Sequence, residues 1–458
     1  MATLNRRLFL KTSAAAAGIA GFPSLLLAQN GEASPNKRLN IACIGVGGKG
    51  AGDMPEAAEG NNIVAVCDVD DRNTAKAVQQ FPGAKPFRDF RKMLDQMGNQ
   101  IDAVTVSTPD HTHFPAALAA MQLGKHVCVQ KPLANTIWEA RQLKAAAHKY
   151  KVVTQMGIQG HTNEGMRLLR EWIEAGAIGS VKEIVYWTNR PIWPQGIIPT
   201  RPAACPDYLD WNLWLSTTPD IPYFEYALNG ADVKRGPGPH PFNWRAFWNY
   251  GCGALGDIGC HAMDAGFWSL DLGFPESIEA QTTEFDEATA PKQSTLTYQF
   301  GATAKRGPVK VSWYDGGRMP PKPAELGEGR ELNPEWGQLF VGDKGTIYVN
   351  DAYCSSPRLI PEQAMKDFKR PDKTYDRSIT PGRPQVEWTR CIKDGKTPGA
   401  NFDYAAALTE MVLLGNLAIR TGKKVEWDAG GMKVKGNPEA DRFIKRVYRK
   451  GWEPVPVV

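Results

Sequence analysis

The sequence predicts an α/β protein of two packed domains: an N-terminal doubly wound parallel sheet, then a C-terminal α+β domain with an open, largely antiparallel sheet. Three observations carry this expectation. From Leu39 to about Gln159, short and almost wholly apolar runs alternate with helical stretches, the signature of strands covered by helices on both faces. Beyond Gly160 the strand candidates alternate polar and apolar residues, as in a sheet with one packed face. The chain of 458 residues is also too long for one ordinary domain.

The first segment reads as a leader. Asn5-Arg6-Arg7-Leu8-Phe9-Leu10-Lys11 sets paired arginines ahead of an apolar stretch from Ser13 to Ala28. A charged start, a short apolar region and a small terminal residue predict a cleaved signal peptide over residues 1–28, with export by the twin-arginine route to the periplasm. The apolar stretch is short for a membrane span, and no later stretch is expected to reach about 18 apolar residues. No cysteine sits near the expected cleavage point after Ala28 to carry a lipid. No stable membrane anchor is expected. The polar residues 29–38 form a linker.

The first domain is assigned to residues 39–159. Its strands are Leu39 to Ile44, Ile63 to Cys67, Ala103 to Val106, His126 to Val129 and Val152 to Met156, with helices such as Phe114 to Leu123 and Thr136 to His148 between them. The second domain is assigned to residues 160–425. It opens with a helix near Asn163 to Ala175 and continues through strands Val181 to Thr188, Ser277 to Phe285, Ser294 to Phe300 and Val309 to Tyr314, then a hairpin from Gln338 to Val349. Between these lies a Trp-, Pro- and Gly-rich insertion, Pro191 to Tyr250. Insertions of that length usually serve as a lid or a binding wall. A periodic helix from Asp403 to Arg420 stops at Gly422. Residues 426–458 are expected to pack back on the body, with Asn437 to Trp452 as helix and tail.

Composition narrows the function classes. Lys and Arg number 54 against 49 Asp and Glu, a balance of +5 with no long basic run, so nucleic acid is not expected as a partner. Hydrophobic content of 42% with 22% charged residues excludes extensive disorder. Of the eight cysteines, Cys43, Cys67 and Cys128 fall in or at the ends of apolar strands and read as small apolar residues. Cys252 and Cys260 flank a Gly-rich segment at a spacing that leaves pairing open, but a protein folded in a reducing cytoplasm has little need of bridges. No disulfide is predicted.

The chemistry begins at Gly45-Val46-Gly47-Gly48-Lys49-Gly50, which follows the first strand and opens a helix. Gly45 permits the tight turn, Gly47 and Gly48 let backbone approach a pyrophosphate, and Gly50 allows close helix–sheet packing. The free N–H groups and partial positive charge of the helix start face the phosphates. This is the fingerprint of an N-terminal Rossmann domain. Asp68, at the end of the second strand, is placed to accept from adenosine ribose hydroxyls. A carboxylate there repels a 2′-phosphate, which favours NAD over NADP; Arg72 lies near enough to bear on that choice.

With these residues in place the chain resembles the glucose–fructose oxidoreductase, inositol dehydrogenase and related (Gfo/Idh/MocA) oxidoreductases over nearly everything after the leader. The resemblance rests on the Gly-rich fingerprint, on Ser107-Thr108-Pro109-Asp110-His111-Thr112-His113 and on Gln130-Lys131-Pro132-Leu133. Its most distinctive part is Gly253-Ala254-Leu255-Gly256-Asp257-Ile258-Gly259-Cys260-His261-Ala262-Met263-Asp264. It implies a sugar or polyol dehydrogenase and maps the family's catalytic lysine, aspartate and histidine onto Lys131, Asp257 and His261. Thr108, Pro109, His113, Gln130 and Lys131 are implied on the cofactor side. Gln130 departs from the family's usual Glu; a glutamine still accepts hydrogen bonds, so retuning rather than loss is expected. Homo-oligomerisation, as dimer or tetramer, is implied through the open sheet.

The residue types agree with this mapping. Asp257 and His261, four positions apart, share a helix face. Oxidation of a secondary alcohol needs a base for the hydroxyl proton, which an imidazole supplies, with Lys131 stabilising alkoxide charge and Asp257 contacting hydroxyls or orienting the histidine. His111 and His113 invite a metal reading, but no Cys or Glu cluster accompanies them, so no metal is predicted. Gln159 and His161 follow the last strand of the first domain and are candidates for the cleft wall. Trp187, Trp193, Trp211, Trp214, Trp244 and Trp248 crowd the insertion, where aromatic rings suit pyranoside faces or core packing; Arg190, Asn243 and Arg245 are candidate hydroxyl binders.

The sequence thus predicts a dehydrogenase acting on a carbohydrate or polyol. Nicotinamide dinucleotides are scarce outside the cytoplasm, so its NAD should be held tightly. Two alternatives stand beside this reading. One is a redox-neutral NAD-dependent glycoside hydrolase or lyase working through a transient keto-sugar. The other is a non-catalytic sugar- or dinucleotide-binding protein.

Overall fold

The computed structural model describes residues 38–228 and 235–457. The expected leader and nearly all of the linker lie outside the described residues.

The first sheet comprises β1 (Asn40–Ile44), β2 (Asn62–Cys67), β3 (Lys85–Phe87), β4 (Ala103–Val106), β5 (His126–Val129) and β6 (Thr154–Met156). They lie in the order β3-β2-β1-β4-β5-β6, and every pairing is parallel. Strand order reverses between β1 and β4, so a crevice opens beyond their carboxyl ends. The inner strands are nearly all buried, which explains their continuous apolar runs. β3 escaped the sequence reading because Pro86 sits at the centre of a short, half-exposed edge strand.

The second sheet has nine strands: β7 (Val181–Thr188), β10 (Ser277–Thr282), β11 (Ser294–Phe300), β12 (Val309–Tyr314), β13 (Trp336–Gly342), β14 (Thr346–Val349), β15 (Pro357–Ile360), β16 (Val425–Asp428) and β17 (Lys433–Val434). All pairings are antiparallel except β7 with β12. The insertion after β7 carries its own small hairpin, β8 (Thr200–Pro202) with β9 (Phe224–Tyr226). One face of the large sheet packs on the helix Phe402–Thr421, where Gly415 leaves room for Tyr298 and Leu296. Part of the other face is covered by the chain's own Leu326 and Leu332, seated on Val185, Trp187, Leu339 and Tyr348.

Three expectations need correction. The helix Phe402–Thr421 does reach the length and hydropathy of a membrane span, but 83% of that window is buried inside the protein. Its apolar character on every side comes from packing between a helix of the first domain and the second sheet. Asn437 to Trp452 is not an α-helix; it is a 3₁₀ turn, Pro438–Phe443, followed by irregular chain. Gly436 with a φ of +69° and Pro438 break the helical run. The tail packs back nonetheless, with Tyr448 Oη donating to Glu139 Oε1 at 2.8 Å and Trp452 against Phe90. Finally, the helix Pro384–Asp394, inside the segment assigned to the second domain, buries Trp388 in the first domain's core beside Ile41, Cys43 and Val66.

Candidate functional site

A cleft of about 870 Å³ runs along the carboxyl ends of the parallel strands and under the insertion. The Gly-rich turn forms its floor at one end. Gly45 has a φ of +78°, and a side chain there would meet the backbone of Ser107 and Thr108. Gly47 is closed in by Asn73, and both Gly47 and Gly48 line the cleft. Gly50 lies against the Gly45 carbonyl, off the cleft, so its role is close packing. The helix Lys49–Ala58 that follows has no side-chain cap, which leaves its first N–H groups available to an anion.

Asp68 lies at the end of β2 and lines the same cleft. Its Oδ2 accepts from Val46 N at 2.9 Å and Gly47 N at 3.2 Å, while Oδ1 accepts from Asp70 N at 2.9 Å. The carboxylate therefore holds the Gly-rich turn in shape. Burial pushes its pKa up, against the pull of these donors. Arg72 is taken by Asp70, at 2.7 Å, and lies over the Tyr208 ring at 3.4 Å.

Thr108 and Pro109 line the cleft after β4, and Gln130 and Lys131 line it after β5. Gln130 Nε2 donates to Asp53 Oδ2 at 2.8 Å, while its Oε1 is buried with no partner among the described residues. Asp53 is 0% exposed and also accepts from Ser107 Oγ and Lys49 Nζ.

Lys131 Nζ donates to the Asp257 backbone carbonyl at 2.6 Å and to its Oδ1 at 3.1 Å. Arg245 Nε reaches the same Oδ1 at 3.1 Å. Burial raises the Asp257 pKa, but these two cations more than offset it and hold the carboxyl well below the usual range. Asp257 is thus committed to Lys131 and Arg245, and the expectation that it orients the histidine is corrected. His261, one turn along the helix Gly253–Ala262, packs on the Tyr353 ring at 4.9 Å. Its Nδ1 is buried with no partner among the described residues. Burial first, and then Lys131, pull its pKa well down, which favours the neutral ring.

Asp110 lies within the Ser107–His113 segment, where nothing local marks it for a role of its own. It is buried in the cleft wall, accepts from the Cys252 thiol, and is pushed up to about 7 by burial against the pull of Lys131 and Arg245.

Of the expected substrate-side residues, Gln159, Arg190, Trp244 and Arg245 line the cleft. Two do not, and are corrected. His161 is buried behind the wall, its Nδ1 bonded to Asp264 at 2.9 Å. Asn243 donates to the carbonyls of Gly236 and Gly238 and accepts from Tyr226 Oη through its own carbonyl, pinning the insertion. On the cofactor side His113 is also corrected. Its two ring nitrogens face backbone carbonyls, of Pro132 at 2.8 Å and Thr108 at 2.9 Å, and the neutral ring donates its one N–H to one of them. It joins the two cofactor loops rather than contacting ligand, and burial lowers its pKa to about 4. His111 likewise has a backbone carbonyl within reach of each ring nitrogen, those of Tyr250 and Trp214. Among the described residues no group of three or more His, Cys, Asp or Glu forms a metal cluster, and the cysteines are free thiols.

The tryptophans divide. Trp187, Trp193, Trp211 and Trp248 are packed away from the cleft, whereas Trp214 and Trp244 line it. Trp336 and Tyr353 line it too, although nothing local in the sequence marks them. Arg190 lies over the Trp336 ring at 5.3 Å, which sets one flat and one hydrogen-bonding group side by side in the cleft lining.

Residues 39–158 match the Gfo/Idh/MocA model, an oxidoreductase family with an NAD-binding Rossmann fold. The chain is 31% identical over 107 residues to levoglucosan dehydrogenase of Pseudarthrobacter phenanthrenivorans, covering 23% of this chain and 27% of the relative. It is 28% identical over 149 residues to inositol 2-dehydrogenase of Rubrobacter xylanophilus, covering 32% and 42%. It is 31% identical over 208 residues to a glycosyl hydrolase family 109 protein of Saccharopolyspora erythraea, covering 39% and 44%. The chain therefore spans less than half the length of these curated relatives. Among solved structures, the WlbA dehydrogenase from Bordetella pertussis with NADH and UDP-GlcNAcA superposes with a TM-score of 0.58 at 17% identity, covering 86% of this chain and 99% of that one. Levoglucosan dehydrogenase with NADH and levoglucosan gives 0.55 at 17%, covering 85% and 99%. These likenesses show the two-domain fold. The N-terminal domain is an NAD-binding Rossmann domain, and its residues fit the dinucleotide: the uncapped helix start and close-packed glycines suit a pyrophosphate, and the unpartnered Gln130 Oε1 offers an acceptor in the cleft.

Proposed function

We propose that the chain transfers hydride between a secondary hydroxyl of a sugar, glycoside or polyol and a tightly bound NAD. The observation that carries this reading is that Lys131, Asp257 and His261 meet in the cleft that contains the Gly-rich turn. When bound, NAD supplies the nicotinamide that exchanges hydride. Lys131, fixed by two bonds to Asp257, directs an ammonium N–H at the reacting oxygen and stabilises negative charge developing there. His261, which lines the same cleft, takes the hydroxyl proton. Trp336 and Trp244 offer apolar faces to the ring, and Arg190, Arg245 and Gln159 bind its remaining hydroxyls.

Two relatives' names, inositol 2-dehydrogenase and levoglucosan dehydrogenase, support this substrate class. The family 109 relative and the position of Asp110 favour a second reading, in which transient oxidation acidifies a neighbouring C–H, the glycosidic group leaves and the cofactor returns unchanged. The proposal also includes folded export to the periplasm and homo-oligomerisation through the second sheet, whose outward residues on β11 are Thr295, Thr297 and Gln299.

The test is to denature the purified protein, identify released dinucleotide by mass spectrometry, and screen carbohydrates for keto products and bond cleavage. NAD near one per chain with keto product supports the dehydrogenase. Reducing-sugar release without net NADH selects the second reading. Absence of any dinucleotide binding overturns both.

A further inference from the structure

The insertion between β7 and the helix Gly253–Ala262 reaches across to the far end of the cofactor cleft. It docks on the loop that follows β2. Asp71 N donates to the Tyr208 carbonyl at 2.9 Å, and Asp210 N donates to the Val69 carbonyl at 2.9 Å. Leu209 bridges to Asp70 between these two bonds. The side chains repeat the join. Arg72 lies flat over the Tyr208 ring at 3.4 Å, and His240 Nε2 is bonded to Asp70 Oδ2 at 2.8 Å.

We propose that this join is a strap that encloses the adenosine half of the dinucleotide and makes NAD a resident cofactor. The inference rests on the cofactor assignment above. The docking loop follows Asp68, which that assignment sets at the ribose, so the strap is anchored beside the adenosine end and away from Lys131 and His261. Leu213, Trp214, His240 and Phe242 form its cleft-facing surface. The join is built to last: Asp70 is 1% exposed, and its carboxylate is shared between His240 and Arg72. Burial raises the Asp70 pKa, but these partners more than offset it and hold the carboxyl well below the ordinary range. A dinucleotide under such a strap leaves only when Tyr208–Asp210 and His240 lift from the β2 loop, so the strap controls release more than capture.

The experiment follows bound NADH by its fluorescence after addition of excess NAD⁺ to the full chain. His240→Ala and Tyr208→Leu are expected to speed NADH release by about tenfold or more. His240→Gln, which keeps an N–H donor for Asp70, is expected to release at close to the native rate. Thermal unfolding of each variant separates loosening of the strap from general loss of fold. If His240→Ala does not fold, Tyr208→Leu keeps the backbone bridge and carries the test. Equal release rates in the native protein and both loosened variants overturn the strap while leaving the dehydrogenase reading intact. Failure of the native protein to bind NADH overturns both.

Discussion

Gln130 Nε2 donates to the buried Oδ2 of Asp53 at 2.8 Å, tying the β5 loop to the helix that begins at the Gly-rich turn. The position where relatives usually carry a glutamate thus faces a carboxylate already present on the neighbouring helix. A glutamine is the residue that can donate to it. Gln130→Glu is expected to set two carboxylates against one another in a buried site and to cost about 1–3 kcal/mol of stability. Adding Asp53→Asn should recover most of that loss. Chemical denaturation of the single and double variants checks this; equal stability of Gln130→Glu and the native chain would overturn it.

Lys131→Met removes the ammonium that is bonded to Asp257 in the cleft. The expected result is a fall in kcat/KM of about a thousandfold, with NADH still bound. His261→Asn should show a similar loss at neutral pH. A drop confined to KM in both variants would move these residues from chemistry to simple substrate binding.

Asp110 gives a pH-dependent prediction. Its pKa rises from the ordinary carboxyl value of 3.8 to about 7 on folding, chiefly through burial. The folded state then holds a proton that the unfolded state has released. Its stabilising contribution is fully present below pH 3.8 and is lost as pH rises through about 7. Asp110→Asn should therefore gain on the native protein by up to a few kcal/mol as pH rises from 4 to 8. Unfolding midpoints of the two proteins across that range test the sign. A constant difference would mean that Asp110 does not titrate there.

Trp336→Ala removes the ring beneath Arg190 in the cleft wall. KM for the carbohydrate should rise about tenfold, with a smaller change in kcat, as expected of a ring that would contact substrate equally before and during reaction. An unchanged KM would assign Trp336 to packing alone.

The sequence by itself determined the parallel sheet, whose strands are buried on both faces and so print as apolar runs. It also determined the Gly-rich turn, the lysine after β5, and the Asp257–His261 pair, because each is a local pattern with a local physical cause. The helix Phe402–Thr421 was legible from its period and from Gly422, which takes a φ of +60° beyond its end. Tertiary structure decided the rest. Histidines that look free in a motif, His113 and His161, are consumed by a backbone carbonyl pair and by Asp264. Asn243 looks like a sugar ligand in sequence but spends its amide on the insertion's own backbone. Trp336, Tyr353 and Asp110 enter the cleft through chain crossings that no periodicity records, and His240 reaches Asp70 from 170 residues away. Local pattern fixes which residues form strands, turns and helix faces. Which polar groups remain free for a ligand depends on the neighbours that folding brings to them, since buried donors and acceptors pair with whatever backbone or side chain lies within reach.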